Sequence, residues 1–250
     1  MTVNKIKEIT FDTFFPKFCF SCQKEGAYLC SDCKYLLDIL DHNYCLCEKN
    51  PIRLFTNQST NQKQIYGKCQ KCNDKKLSGL YFALSYKNKL TQKLIKNFKY
   101  QPFIKDLSKT FADIIVEHLL LTKNNTNDVW ENSVLLPVPI YIKKQKNRGY
   151  NQSEELAKEL SKIIKVPVVS NVLIKIKETT SQAELKKAQR LENLKNAFVI
   201  QNYKSIKNKK IFLVDDIYTT GSTMTECANI LKKAKVKQVW GITIAREEYI

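Results

Sequence analysis

Glycine and proline are scarce in this chain, six of each among 250 residues. That scarcity excludes a collagen-like, low-complexity or pervasively disordered polypeptide and leaves one ordinary domain with a small one, or two domains. Long apolar runs are missing as well. The longest uncharged apolar stretch, 134–142, is broken by Pro137 and Pro139 and falls far short of the roughly 18 residues that a spanning helix needs. Membrane insertion is not expected. The N-terminal stretch carries Lys5, Lys7, Glu8 and Asp12 where an export signal would need an apolar core, so the chain is expected in the cytoplasm. Neither a GxxxxGK[ST] loop nor a GxGxxG turn occurs, which removes support for P-loop and Rossmann nucleotide binding.

Acidic residues are in deficit, 24 Asp plus Glu against 42 Lys plus Arg, giving a formal charge of +18. Such a surface favours anionic partners: nucleic acid, acidic lipid or a polyphosphate ligand. Cysteine is nearly absent from the larger part of the chain, where Cys227 stands alone, while the other eight fall in short spacings before residue 73. Those spacings are Cys19-x-x-Cys22, Cys30-x-x-Cys33, Cys45-x-Cys47 and Cys69-x-x-Cys72. Without an export signal they read as metal ligands rather than disulfides. Two intervening residues let both thiolates of a pair reach one ion at about 2.3 Å, and two pairs close a tetrahedron with no open position. The expectation is two structural Zn²⁺ ions held by sequential pairs: Cys19, Cys22, Cys30 and Cys33 at one, Cys45, Cys47, Cys69 and Cys72 at the other. A crossed pairing stays open; Cys45-x-Cys47 is a tighter pair that weakens the second site, and His42 reads as a solvated polar histidine in preference to a replacement ligand there. Eight thiolates and two zinc ions would lower the formal charge to about +14.

Residues 19–72 show no sustained apolar periodicity, so bound metal would have to supply their stability. From residue 80 the texture changes. Strands are expected at 80–86, 134–138, 211–214 and 236–245, and helices at 90–98, 104–121, through Leu156 to Ile164, and at 223–234. Residues 143–149 read as a basic loop, 166–176 as ambiguous with strand character, and 183–196 as charged and partly helical. Strands alternating with helices imply an α/β fold with a parallel sheet. The boundary is expected near residue 78, with a cysteine-rich module over 1–78 and an α/β domain over 79–250.

The most informative stretch runs from Ile211 through Val214, Asp215 and Asp216 to Tyr218, Thr219, Thr220, Gly221, Ser222 and Thr223. A buried strand delivers two acids, and a loop of small hydroxylated residues around a glycine opens a helix. Main-chain N–H groups of such a loop, the helix N-terminus and the hydroxyls suit a single phosphate dianion. The acids would repel a second phosphate but accept hydrogen bonds from vicinal sugar hydroxyls, so the composite ligand is a ribose 5-phosphate. Lys143, Lys144, Lys146 and Arg148 follow a buried strand, where a pyrophosphate can be held. Cys227 reads as a core cysteine and His118 as a helix-surface residue.

At these residues the sequence resembles the type I phosphoribosyltransferases, whose signature is an apolar strand, an acidic pair and a Thr-Thr-Gly loop. The cysteine module, Pro137-Val-Pro139, Arg148-Gly149-Tyr150-Asn151-Gln152, Gln182, Arg190, Asn193, Asn196 and Phe198 narrow the resemblance to the ComF family. The family pattern departs at Cys45-x-Cys47, where CxxC is usual. The resemblance implies a double zinc ribbon on a type I phosphoribosyltransferase fold, a parallel sheet flanked by helices, with a link to DNA uptake or handling. It implies a pentosyl-transferring activity on 5-phosphoribosyl 1-diphosphate with Mg²⁺. Asp215 and Asp216 would be the catalytic acids, and Tyr218, Thr219, Thr220, Gly221, Ser222, Thr223, Arg148 and Arg190 the substrate contacts. No acceptor-recognition element is legible. The rival reading is a non-catalytic sensor or adaptor that binds single-stranded DNA or proteins of the uptake machinery. Lys96, Phe98, Lys99, Tyr100 and Phe103 interleave charge with aromatics as strand binding requires, and a helix face with a buried aromatic stripe explains them equally well. On the strand-binding reading, Lys96 and Lys99 would lie away from the sugar-phosphate pocket.

Overall fold

A computed structural model of the chain describes residues 16–54, 67–124, 127–179 and 194–247. Four near-continuous apolar runs form a parallel sheet, in the order β3-β8-β7-β4: β3 (Gly79–Ser85), β4 (Ser133–Pro137), β7 (Lys210–Tyr218) and β8 (Gln238–Arg246). Side chains alternate across it. Tyr81, Ala83, Leu135, Phe212, Val214, Trp240 and Ile242 pack on one face, and Leu80, Phe82, Val134, Leu136, Ile211, Leu213 and Val239 on the other. Both faces are covered, which is why these strands lack the polar alternation of a half-exposed sheet. On the first face lie α2 (Lys89–Lys99), α3 (Leu107–Leu121) and α6 (Gln152–Ile164); on the second lies α7 (Ser222–Lys233). The α/β expectation holds.

The cysteine segment adds α1 (Ser31–Lys34), a two-stranded antiparallel pair β1 (Asn43–Tyr44) and β2 (Arg53–Leu54), and a 3₁₀ turn at Gln70–Cys72. It straddles the β3 edge. Cys19, Leu29, Cys30, Cys33 and Leu37 join the first-face core, while Cys45, Leu46, Cys72 and Leu77 join the second. The Leu40 N–H donates to the Ala83 carbonyl at 3.0 Å, occupying an edge group of β3. On the far edge, Val168 bridges Leu135 of β4. A short helix α4 (Asn127–Trp130) precedes β4, and a separate antiparallel pair, β5 (Leu173–Lys175) with β6 (Phe198–Ile200), stands beside α7.

Three expectations need correction. The basic segment expected as a loop is helix α5 (Ile142–Arg148), closed by Gly149 at φ +84°; the left-handed position that only glycine adopts freely ends it. His118 is fully buried, not at the surface: its Nδ1 meets the Leu40 carbonyl at 2.6 Å inside the interface between α3 and the cysteine segment. β7 runs on through both acids to Tyr218 instead of ending before them, because its pairing with β8 continues to Tyr218↔Arg246. The charged stretch 183–193 lies outside the described residues.

Candidate functional site

The carboxyl end of β7 carries Asp215 and Asp216 on a strand held between β4 and β8. Successive residues of a strand face opposite ways, and the two acids meet different neighbours. The Asp216 side chain is 4% exposed and lies 3.0 Å from Lys99 Nζ, the last residue of α2. Gln152 Nε2 donates to the same Oδ2 at 3.2 Å, and Arg148 donates to Gln152 Oε1, so the end of α5 reaches Asp216 through one glutamine. Asp215 accepts from Ser153 Oγ at 3.0 Å and from the Asp216 N–H at 2.9 Å. Burial and the adjacent Asp216 carboxylate push Asp215 up to about 7. Burial opposes the charge on Lys99, but the carboxylates of Asp216 and Asp215 outweigh it and hold Lys99 above its ordinary range. Lys99 thus belongs to the acid pair, contrary to the sequence expectation that set it apart from this pocket.

Beyond Tyr218 the chain turns through Thr219 and Thr220 to Gly221, which caps α7 at φ +73°. A Cβ on Gly221 would come within 2.2 Å of the Tyr218 hydroxyl, so glycine is required by conformation and by space. The Thr220 and Ser222 hydroxyls bond each other at 2.8 Å. The Ser222 N–H donates to Thr220 Oγ1 at 3.4 Å, so the turn and the first residue of α7 are tied together at the strand end. Tyr218 itself is 2% exposed, behind the loop rather than over it, and burial pushes its phenol up to about 12. Arg148 sits at the end of α5 beside Gln152; Arg190 lies outside the described residues. Lys175 on β5 is held below its ordinary range by burial and by Lys144 of α5.

The eight paired cysteines gather as two sets, Cys19, Cys22, Cys30, Cys33 and Cys45, Cys47, Cys69, Cys72, each with its sulfurs within 4.8 Å of one another. Neighbouring sulfurs lie 3.4–3.7 Å apart at Cys47–Cys69, Cys22–Cys30 and Cys69–Cys72, close to the roughly 3.8 Å edge of a tetrahedron with 2.3 Å bonds. Main-chain N–H groups aim at them: Ile52 at Cys45 Sγ, 3.1 Å, and Cys69 at Cys72 Sγ, 3.3 Å. Both sets have the geometry to hold zinc, with the sequential pairing expected. His42 faces Asp41 and Tyr44 instead of a sulfur set. Cys227 is buried beside the β7 core, as expected.

Lys99, Gln152 and Ser153 were not assigned to this site by their local sequence. Gln152 and Ser153 open α6 behind the Asn151 cap, which signals a helix start and nothing more. Lys99 lies 117 residues from its partner, and no local pattern announces that meeting. Among the five basic and aromatic residues read as a strand-binding face, Phe98 is buried and Phe103 packs against the core, while Tyr100 is half exposed.

Residues 146–247 match the family described as a phosphoribosyl transferase domain. Competence protein F of Haemophilus influenzae is 35% identical over 155 residues, 61% of this chain and 67% of that protein. The DNA utilization protein YhgH of Salmonella typhi is 28% identical over 137 residues, 54% of this chain and 59% of that one. The chain thus spans between half and two thirds of these relatives' lengths. A hypoxanthine phosphoribosyltransferase from Staphylococcus aureus superposes with a TM-score of 0.35 at 16% identity, covering 56% of this chain and 62% of its own. No helix among the described residues is long and apolar enough to cross a membrane.

Proposed function

The chain belongs to the ComF family of phosphoribosyltransferase-fold proteins, and from that premise we propose that it binds 5-phosphoribosyl 1-diphosphate at the 215–223 loop, in the service of DNA uptake or use. The observation that carries the reading is one strand end bearing both a paired acid site and a glycine-capped helix N-terminus. The 219–222 loop and α7 take the 5-phosphate. Asp215 and Asp216 accept hydrogen bonds from the 2- and 3-hydroxyls and favour the positive charge that develops on the ribose as the C1–diphosphate bond breaks. Gln152, Ser153 and Lys99 fix the acids before the sugar arrives, which spares reorganisation at the moment of reaction. Arg148 and Lys144, on α5, face the leaving diphosphate, a role that the family resemblance gives to Arg190 as well.

Mg²⁺ suits the oxygen donors at this strand end and, when bound with the substrate, neutralises the leaving diphosphate. Lys99 already holds Asp216, so the metal is expected to take its ligands mainly from the substrate. Zinc in the two cysteine sets plays a structural part, in a module over 1–78 attached to a phosphoribosyltransferase domain over 79–250.

Calorimetry with 5-phosphoribosyl 1-diphosphate and Mg²⁺ should give saturable binding that Asp216→Asn abolishes in a folded protein; unchanged affinity removes the assignment. Pyrophosphate release with candidate acceptors separates a transferase from a ligand-gated adaptor.

A second reading, single-stranded DNA binding, is favoured by the first cysteine set. Phe20 and Tyr28 stack at 5.9 Å, with Lys93 over Phe20 and Lys17 over Tyr28. Affinity on this reading falls steeply with salt and shows little sequence preference. A salt-insensitive or undetectable complex would count against it.

A further inference from the structure

The second cysteine set and the phosphate loop are joined by a buried arginine for which the proposed chemistry has no use. Arg246, at the end of β8, is 1% exposed. Its Nη1 donates to the Cys45 carbonyl at 2.8 Å and its Nη2 to the Cys47 carbonyl. The guanidinium lies 5.5 Å from the ring centroids of both Phe82 and Tyr218. A guanidinium taken out of water needs its donors satisfied, and here two of them are committed to the main chain between two cysteines of one metal set.

Those carbonyls are held in turn by their surroundings. Leu46, between the two cysteines, is fully buried, Lys75 Nζ donates to its carbonyl at 2.7 Å, and the Ile52 N–H donates to Cys45 Sγ. On the other side, Tyr218 is the register partner of Arg246 across β7 and β8, and the Glu247 N–H donates to the Tyr218 carbonyl at 2.9 Å. The Tyr218 phenol presses on Gly221, the residue about which the phosphate loop turns. One contiguous set of contacts therefore runs from Cys45 and Cys47 through Arg246 and Tyr218 to Gly221.

We propose that Arg246 is a positioning residue through which the Cys45, Cys47, Cys69 and Cys72 set governs the 219–222 loop, so that the loop keeps its anion-binding shape while that set holds metal. When the metal leaves, the Cys45–Cys47 carbonyls lose their anchor, the guanidinium loses two acceptors, and Tyr218 loses the packing on one face. The wall behind Gly221 then gives way. The affinity part of this inference rests on the loop being the 5-phosphate site; the mechanical part does not.

The test uses the full zinc-loaded chain and two readouts, amide hydrogen exchange and calorimetry with 5-phosphoribosyl 1-diphosphate plus Mg²⁺. In Arg246→Gln, exchange over 219–225 should accelerate about tenfold or more while α3 (Leu107–Leu121) stays within about twofold, since a selective local opening differs from a global loss of stability. Arg246→Lys, which keeps the charge and its donors on a single nitrogen, should fall between. Cys69→Ser, with its zinc content down from two ions to one, should reproduce the loop effect with Arg246 intact. Affinity should fall about tenfold in both the glutamine and the serine variants. Loop exchange unchanged in Arg246→Lys and in Cys69→Ser, or rising no more than that of α3, overturns the proposal. A wild-type chain that binds no 5-phosphoribosyl 1-diphosphate, yet whose loop exchange still follows Arg246, retains the coupling and sinks the ligand assignment instead.

Discussion

Two neighbouring carboxylates on β7 pull the protein in opposite directions. Asp215, half-buried and beside a second acid, has its folded-state proton affinity raised, so it favours folding while protonated and loses that contribution as the pH climbs from about 4 towards about 7. Asp216 instead holds Lys99 in a close pair whose carboxylate is nearly inaccessible. Asp215→Asn is therefore expected to raise the melting temperature at pH 8 by about 2–4 °C, with the gain fading by pH 5. Asp216→Asn should lower stability by about 1–3 kcal/mol because it strands Lys99. Thermal melts of both variants at the two pH values check the contrast, and equal shifts of one sign would show that the acids share one environment. His118 behaves as a second pH-sensitive group. Burial pushes it down to about 4, its Nδ1 serves the Leu40 carbonyl, and its Nε2 has no hydrogen-bond partner. The unfolded chain then binds a proton that the folded one refuses between about pH 6.5 and 4, so stability falls with pH across that window. Denaturation at pH 7.5 and 5 should cost the wild type about 2 kcal/mol more than His118→Gln loses, the comparison removing the separate acid sensitivity of thiolate metal sites.

At the scale of elements, the decisive unit is β7, the 219–221 turn and α7. Strand β7 is long because β8 follows it to the last residue, and the turn is tight because Gly221 adopts a left-handed conformation under the Tyr218 phenol. Gly221→Ala combines backbone strain with overpacking and is expected to cost about 2–4 kcal/mol and to weaken 5-phosphoribosyl 1-diphosphate binding. Urea denaturation and calorimetry on the variant check both parts; wild-type values would mean that the turn relaxes freely. Helix α5 makes the opposite point. Its basic sequence has no apolar face and none of its residues is buried, so periodicity could not announce it. It forms between the end of β4 and the Asn151 cap of α6, and its last residue reaches the acid site through Gln152.

At the scale of the molecule, the cysteine segment is a clasp on one edge of the sheet. Its first set adds to one face of the core and its second to the other, so the segment depends on the α/β part for a core while covering the exposed edge of β3. Elemental analysis should return two zinc ions per chain. Chelation should loosen β3 and the 219–222 loop before α6, which packs on the far side against β4 and β7. Uniform exchange across the chain after chelation would contradict that order.

What the sequence determined by itself is whatever short-range chemistry encodes. Four apolar runs too long and too uniform for a half-exposed sheet announced a buried parallel one. Paired cysteines announced two four-sulfur sets with the correct partners, and the acids with the Thr-Thr-Gly turn announced a strand end that leads through a glycine into a helix. Cysteine spacing is legible because a knuckle is closed by cysteines with two residues between them, and the turn is legible because consecutive residues around one glycine build it. Tertiary structure alone decided which distant groups meet these features. Lys99 reaches Asp216 across 117 residues, and Arg246 reaches Cys45 across 201. Both meetings follow from a strand order that sets the ends of β7 and β8 side by side against α2 and the cysteine clasp. Ion pairs and buried donors are fixed by that three-dimensional coincidence and by the cost of leaving a charge unpaired in the interior, and neither leaves a mark in local composition.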